Sequence, residues 1–477
     1  MSRAAKTPGG PAIHQRQHPT GMSWITMGLL ITTAVASLRG SATMSVYGLA
    51  SIFLYLLPAV VFLIPTALIS AELASGWKGG VFVWVKEAFG DQLGFFAIWQ
   101  QWMQNVVWYP AQLAFGAAAL AYIVNPGLAS SGLFTAIVIL VVYWGATLMT
   151  CRGLNIATFV GSKGLLVGTL LPAALLIILA LIWIVSGRPV AMPLRASALL
   201  PQWTGIASIV LIISNFLQYA GMEMNAVHVN ELDDPKRGFP RAIALASVLI
   251  LLIFIPPVLS IAVGVPAEKI SLTGGVLQAF ETFFSSFGLA WLTPVLGLLI
   301  AIGVLASVIT WIAGPSRGLL LVGDQGYLPP WFHYTNKAGI QEHILLVQGG
   351  IVTVLALLFA IVPGVNAIFW ALSAIATQLY LLMYMLMFLA AMRLRRTHAS
   401  IARGYRAPAL FFWASVGFVA SVLAFLIGFV PPAQASSIPA SLYALGLIVG
   451  ILLLGCGPFI FYALRQTSWG EKEPTTV

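Results

Sequence analysis

Charge is what this chain lacks most. Only 8% of its 477 residues are Asp, Glu, Lys or Arg, where an ordinary soluble domain carries about a quarter. A water-facing surface cannot be assembled from so few charges, so composition overrides the two or three soluble domains that length alone suggests. Cysteine is nearly absent: Cys151 and Cys456 stand far apart, and no disulfide is expected. No GxxxxGK or HExxH string occurs, which argues against an ATP-driven pump or a membrane protease. Basic and aromatic residues do not interleave on any polar domain, so the net charge of +10 does not indicate nucleic acid. No cofactor and no metal site are expected.

What the chain has is apolar surface: 60% hydrophobic residues and a mean hydropathy of +0.97. Its apolar runs are about 20 residues long, which suits spanning helices rather than a barrel. The reading is an all-α integral membrane protein with about 12 transmembrane helices. They run roughly over 23–47, 49–74, 91–124, 131–150, 155–186, 205–228, 240–265, 290–322, 344–362, 365–392, 410–430 and 439–464. The first two spans divide near Gly48 and Ser51. Residues 1–22, rich in Gly, Pro and His without an apolar core, read as a tail and not a signal peptide. A second short tail covers 465–477.

Orientation follows from Lys and Arg in the short loops. With both termini in the cytoplasm, 18 of the 23 basic residues fall inside. Arg188, Arg195 and Lys269 fall outside, and Arg39 and Lys163 fall within spans. The charge surplus is then a consequence of topology.

Two spans carry interruptions. The first contains ASLRGSATMSVYG, from Ala36 to Gly48, between apolar stretches. The sixth contains NFLQYAGMEMNAVHVNE, from Asn215 to Glu231, with Gly221, Glu223 and Asn225 where a lipid-facing helix would carry Leu or Val. A membrane helix breaks only where its freed backbone groups meet protein or a water-filled cavity. Broken helices in corresponding halves are a sequence pointer to a transport site. Spans one and six correspond if spans 1–5 and 6–10 are repeats of opposite orientation, a pairing that rests on spacing.

Three strings carry a resemblance: FLIPTALISAELASGWKGGVFVWVKEAFG from Phe62, YAGMEMNAVHVNELDDPKRGFPRA from Tyr219 and WIAGPSRGLLLVGDQGYLPPWFHYTNKAGI from Trp311. The chain resembles the amino acid–polyamine–organocation superfamily, most closely its bacterial glutamate:GABA antiporter branch. The resemblance implies a LeuT-like 5+5 inverted-repeat fold with discontinuous helices 1 and 6. The first repeat would cover 23–186 and the second 205–392, with two further helices over 410–464. It implies no chemical reaction, but secondary active amino acid transport by exchange or proton coupling, with alternating access around a midplane site. The partners are a small amino acid, membrane lipid and protons as coupling ion, in a monomer or weak dimer. The location is a bacterial inner membrane.

Half-helix N-termini bind a carboxylate through free N–H groups. Ser37, Gly40, Ser41 and Gly221 are therefore expected to line the pocket for a substrate carboxylate and amine, while close helix packing is the other reading of the glycines. Arg39 departs from the resembling antiporters, which look to have a tyrosine there. It either binds a second substrate carboxylate bidentately, pairs with Glu223, or snorkels outward. Glu223 matches a glutamate of the resembling transporters, and a lone desolvated carboxyl is a candidate proton carrier. Lys163 matches a lysine that stands in for sodium in proton-coupled relatives; snorkelling is its alternative. Gln101, Gln104, Asn105 and Trp108 share one helix face, and the resemblance places Gln104 and Asn105 near substrate. Trp311 matches a pocket aromatic. Tyr380 and Tyr384 are gate candidates or core aromatics.

Two departures limit the resemblance. Ser307 stands where the antiporters look to have an acid, and residues 466–477 are too short for their C-terminal plug. A polyamine carrier is the alternative within the fold, disfavoured by Arg39. A sensor that binds an amino acid without moving it is the alternative outside it.

Overall fold

A computed structural model of the chain describes residues 22–153, 164, 166–226, 228–432 and 439–470. In chain order its helices are α1 (Trp24–Val35), α2 (Ser41–Ser45), α3 (Ala50–Gly76), α4 (Gly80–Phe89), α5 (Asp91–Val124), α6 (Gly132–Cys151), α7 (Leu166–Val185), α8 (Ile213–Tyr219) and α9 (Met222–Ala226). There follow α10 (Pro235–Gly264), α11 (Gly275–Ser286), α12 (Thr293–Asp324), α13 (Glu342–Ile361), α14 (Val365–Thr397), α15 (Leu410–Ile427), α16 (Ala440–Gly455) and α17 (Gly457–Ala463). Among the described residues, ten helical segments are long and apolar enough to cross a membrane. The first and sixth expected spans are not among them, because each is split into two short helices, α1–α2 and α8–α9. The ten and these two make the expected twelve.

Local chemistry accounts for the splits. Helix α1 starts at Ser23, whose hydroxyl accepts from the Thr26 amide, and stops at Val35. After a five-residue link Ser41 opens α2, its amide donating to the Leu38 carbonyl at 3.0 Å. The turn into α3 is made at Gly48, whose φ of +52° suits a residue without Cβ. In the sixth span the break falls at Ala220–Gly221, where Gly221 has φ +108°.

Elsewhere the expected boundaries need modest correction. The sixth span becomes α-helical only at Ile213, after two 3-10 turns. Pro235 opens α10, with Asp234 capping the Lys236 and Arg237 amides. Proline suits that first position, where its missing N–H would have had no partner.

Burial sorts the helices. In α5, 83% of the most apolar window is inside the molecule, against 22% over Ala440–Ala463. The first is thus the central strut, packed along α12 and α14, and the second lies at the rim. Exposed Val141, Leu181 and Leu453 form part of an apolar outer surface of the kind lipid covers. At one end of the bundle Glu72 from α3 meets Arg395 from α14 at 3.0 Å and Arg403 at 3.6 Å. At the other end Arg188, after α7, donates to the Ser286 carbonyl at the end of α11.

Candidate functional site

The breaks in the first and sixth spans face a cavity of about 70 Å³. The link between α1 and α2 contributes Ser37, Arg39 and Gly40 to its wall. Helix α5 contributes Gln104, Asn105, Trp108 and Gln112, spaced so that they share one face. Gln218 and Ala220 come from the sixth-span break, Ser307 and Trp311 from α12, and Tyr380 from α14.

Arg39 is buried, 7% exposed. Its Nη2 donates to the Ser373 hydroxyl at 2.6 Å, and the guanidinium lies over the Phe369 ring, 5.1 Å from its centroid. Arg39 Nε has no hydrogen-bond partner among the described residues. The Ser37 hydroxyl accepts the Arg39 amide at 3.2 Å and so shapes the turn that carries the guanidinium.

Glu223 has a different neighbourhood from the one a pair with Arg39 requires. Its buried carboxylate accepts from Gln101 Nε2 at 2.8 Å, from the Tyr384 hydroxyl at 2.5 Å and from the Tyr380 hydroxyl. No ion pair joins Arg39 and Glu223 among the described residues, so the charge-neutral lock considered for the two is replaced by two separate poles. The outward-snorkelling reading of Arg39 fails with its burial. The Tyr384 hydroxyl also accepts the Gly221 amide at 2.8 Å, so it ties the break in the sixth span to Glu223. Tyr380 and Tyr384 are thus hydrogen-bond donors to Glu223, and only Tyr380 also faces the cavity.

The poles sit at different depths. Ser373, which holds Arg39, and Tyr380, which holds Glu223, are seven residues apart on α14, about 10 Å along a helix rising 1.5 Å per residue. Trp311 covers the sixth-span break: a Cβ on Gly221 would lie 3.3 Å from its ring. The Trp311 carbonyl accepts from the Tyr109 hydroxyl at 2.8 Å, which anchors this part of α12 to α5.

Of the expected site residues, the cavity gathers Ser37, Arg39, Gly40, Gln104, Asn105, Trp311 and Tyr380. Gly221, Glu223 and Tyr384 lie behind that wall, joined to it through Tyr380 and Trp311. Ser41 is buried at the start of α2, outside the wall, and its hydroxyl has no described partner. Lys163 lies outside the described residues.

Three polar wall or pole residues escape the sequence reading. Gln112 continues the α5 stripe at the next helical repeat and was detectable from it. Gln218 packs against Gly40 so closely that a Cβ there would lie 2.3 Å from its amide. Ser373 lies 334 positions from Arg39, and no local pattern links them.

A family model described as amino acid permease matches residues 22–454. An uncharacterized transporter of Legionella pneumophila is 37% identical over 434 residues, covering 90% of this chain and 93% of the relative. A glutamate/gamma-aminobutyrate antiporter of Lactococcus lactis is 32% identical over 426 residues, 87% of this chain and 85% of the relative. A probable agmatine/putrescine antiporter of the same species is 22% identical over 383 residues, 79% and 80% of the two chains.

Proposed function

The chain belongs to the amino acid permease family, and on that premise we propose that it is a secondary active transporter that binds the carboxylate of an acidic amino acid through Arg39. The observation that carries this reading is one buried cation with a free donor at the cavity wall. A charge at membrane depth costs about 2.5–3.5 kcal/mol or more and is kept where it meets a cavity or a partner. Ser373 and Phe369 occupy part of the guanidinium, and neither neutralises it. A substrate carboxylate does, and the planar fork of arginine suits two parallel hydrogen bonds. The same charge repels a dicationic amine, which weighs against the polyamine reading.

The remaining roles follow from position. The link residues Ser37 and Gly40, with Ser41 opening α2 and Gly221 at the sixth-span break, shape the pocket; Gln104, Asn105 and Trp311 contact the rest of the substrate. Glu223, held by Tyr380 and Tyr384, closes the deeper end and is the proposed site of proton coupling, a role that Lys163 shares on the family resemblance alone. The halves 23–186 and 205–392 move as inverted repeats, presenting the site to each side in turn. The membrane is a bacterial inner membrane.

The test is exchange in proteoliposomes loaded with glutamate, with aspartate, glutamate, a neutral amino acid and putrescine supplied outside. Arg39→Gln removes a charge-assisted contact of about 1.5–3 kcal/mol, so acidic substrates should bind roughly 10- to 100-fold more weakly. Transport of a neutral amino acid should persist. Unchanged glutamate exchange in this variant would overturn the assignment, and binding without flux in the unmodified protein would favour a sensor. Strict sodium dependence would remove the proton-coupling role.

A further inference from the structure

A second cavity, larger than the transport site, opens at the bundle end where Glu72 meets Arg395. Its volume is about 510 Å³, and its walls are Lys236, Ala402, Arg403, Tyr405 and Arg406. Three of these five residues are cationic and none is acidic. Glu72, at this end of the bundle, is already engaged: it accepts from the Ala407 amide at 2.7 Å and pairs with Arg395 and Arg403. Asp234 is likewise engaged, capping the first amides of α10.

Two polar groups of this basin are buried without a hydrogen-bond partner among the described residues: Arg403 Nη1 and the Tyr405 hydroxyl. Arg403 is 8% exposed and Tyr405 2%. Both are donors, and a buried donor left unmade costs about 1–3 kcal/mol. Burial holds the Arg403 guanidinium below its usual value, and Arg395 and Arg406 push the same way against Glu72. The surroundings of the basin therefore favour an added negative charge.

The place of the basin narrows the source of that charge. Lys236 stands in the first turn of α10, which exposes Val248 and Leu252 three to four turns further along. Arg406 stands four residues before Leu410, which opens α15, and the exposed Phe411 and Phe412 follow. A phosphate seated between Lys236 and Arg406 would have apolar, lipid-facing helix surface leading away from it on both sides. Juxtamembrane Lys and Arg each gain about 1 kcal/mol beside anionic lipid.

We propose that this basin binds the phosphate headgroup of an anionic phospholipid, clamping the start of α10 to the loop that precedes α15. The leaflet is the one that the positive-inside bias assigns to the cytoplasm.

The test uses detergent-purified full-length protein with thermal unfolding and native mass spectrometry. Added lipids are phosphatidylglycerol and cardiolipin, against phosphatidylcholine of the same acyl chains. Soluble pyrophosphate is the second arm. The double variant Lys236→Gln/Arg406→Gln leaves the Glu72 cluster intact. Arg393→Gln/Arg396→Gln removes as much charge from exposed positions outside the basin. We expect anionic lipid to raise the melting temperature and remain bound to the unmodified protein and to the control variant. In the basin variant, lipid binding should weaken at least tenfold. Equal weakening in the control would show diffuse attraction and overturn the site. Protection by pyrophosphate without protection by lipid would overturn the lipid assignment in favour of a soluble phosphate. No preference for anionic over neutral lipid would overturn both.

Discussion

The two tyrosines one turn apart on α14 hold the same carboxylate yet have different surroundings, and their substitutions should separate. Tyr384 is fully buried and bridges the Gly221 amide to Glu223. Removing its hydroxyl strands a buried N–H and takes one donor from a buried carboxylate, at about 1–3 kcal/mol for each group left unsatisfied. Tyr384→Phe should therefore lower the melting temperature by several degrees, read by thermal unfolding of the purified protein. Tyr380 contributes to the cavity wall and donates only to Glu223 in the described network. Tyr380→Phe should change substrate KM by more than Tyr384→Phe while lowering the melting temperature by less. Identical effects on both measurements would mean that the two hydroxyls do one job. That these tyrosines lie one turn apart in an apolar span was legible from the sequence; that they donate to Glu223 was not, because Glu223 lies 157 and 161 positions away from them.

At the scale of the element, the breaks were the most legible feature and also the most consequential. Lipid makes every polar or flexible residue in a span expensive, so SLRGSAT and YAGMEMN stand out against their apolar flanks. The joint of the sixth span was also readable, since Gly221 is the glycine of its polar stretch and adopts positive φ; in the first span Gly48 marks the turn into α3, while Gly40 in the break itself keeps φ −80°. What composition cannot show is what fills the break: Gln218 against Gly40 and Trp311 against Gly221 are contacts between distant spans. Gly221→Ala tests the joint. At φ +108° a Cβ is strained, and it would press on Trp311 at 3.3 Å; left-handed backbone alone costs about 1–2 kcal/mol. The variant should still reach the membrane while losing most of its exchange activity. Gly446→Ala, where an added Cβ meets nothing within 4 Å, should keep full activity. Equal activity of the two variants would show that the sixth-span break tolerates ordinary helix at Gly221.

For the whole molecule, the sequence argument about orientation has a structural counterpart. Counting Lys and Arg assigned the loops after spans two, six and ten to one side. Glu72 at the end of α3, Lys236 at the start of α10 and Arg395, Arg403 and Arg406 around the end of α14 do gather at one end of the bundle. This agreement does not follow from composition, because an odd error in the span count would have placed one of these loops at the far end. The sign of the membrane side then rests on the charge bias alone: 18 basic residues against three. A single-cysteine experiment reads it directly, starting from a variant lacking Cys151 and Cys456. Ser130, exposed in the turn after α5, should react with a membrane-impermeant maleimide on intact cells when replaced by cysteine. Ser468, exposed beyond α17, should react in the same form only after the cells are opened. The reverse pattern would invert the bundle, place the basic basin in the outer leaflet and turn the Arg39 pole from the outer to the inner side of the cavity. The expected pattern places Arg39 toward the outside and Glu223 toward the cytoplasm, so that a carboxylate arriving from outside meets the cation before the carboxylate.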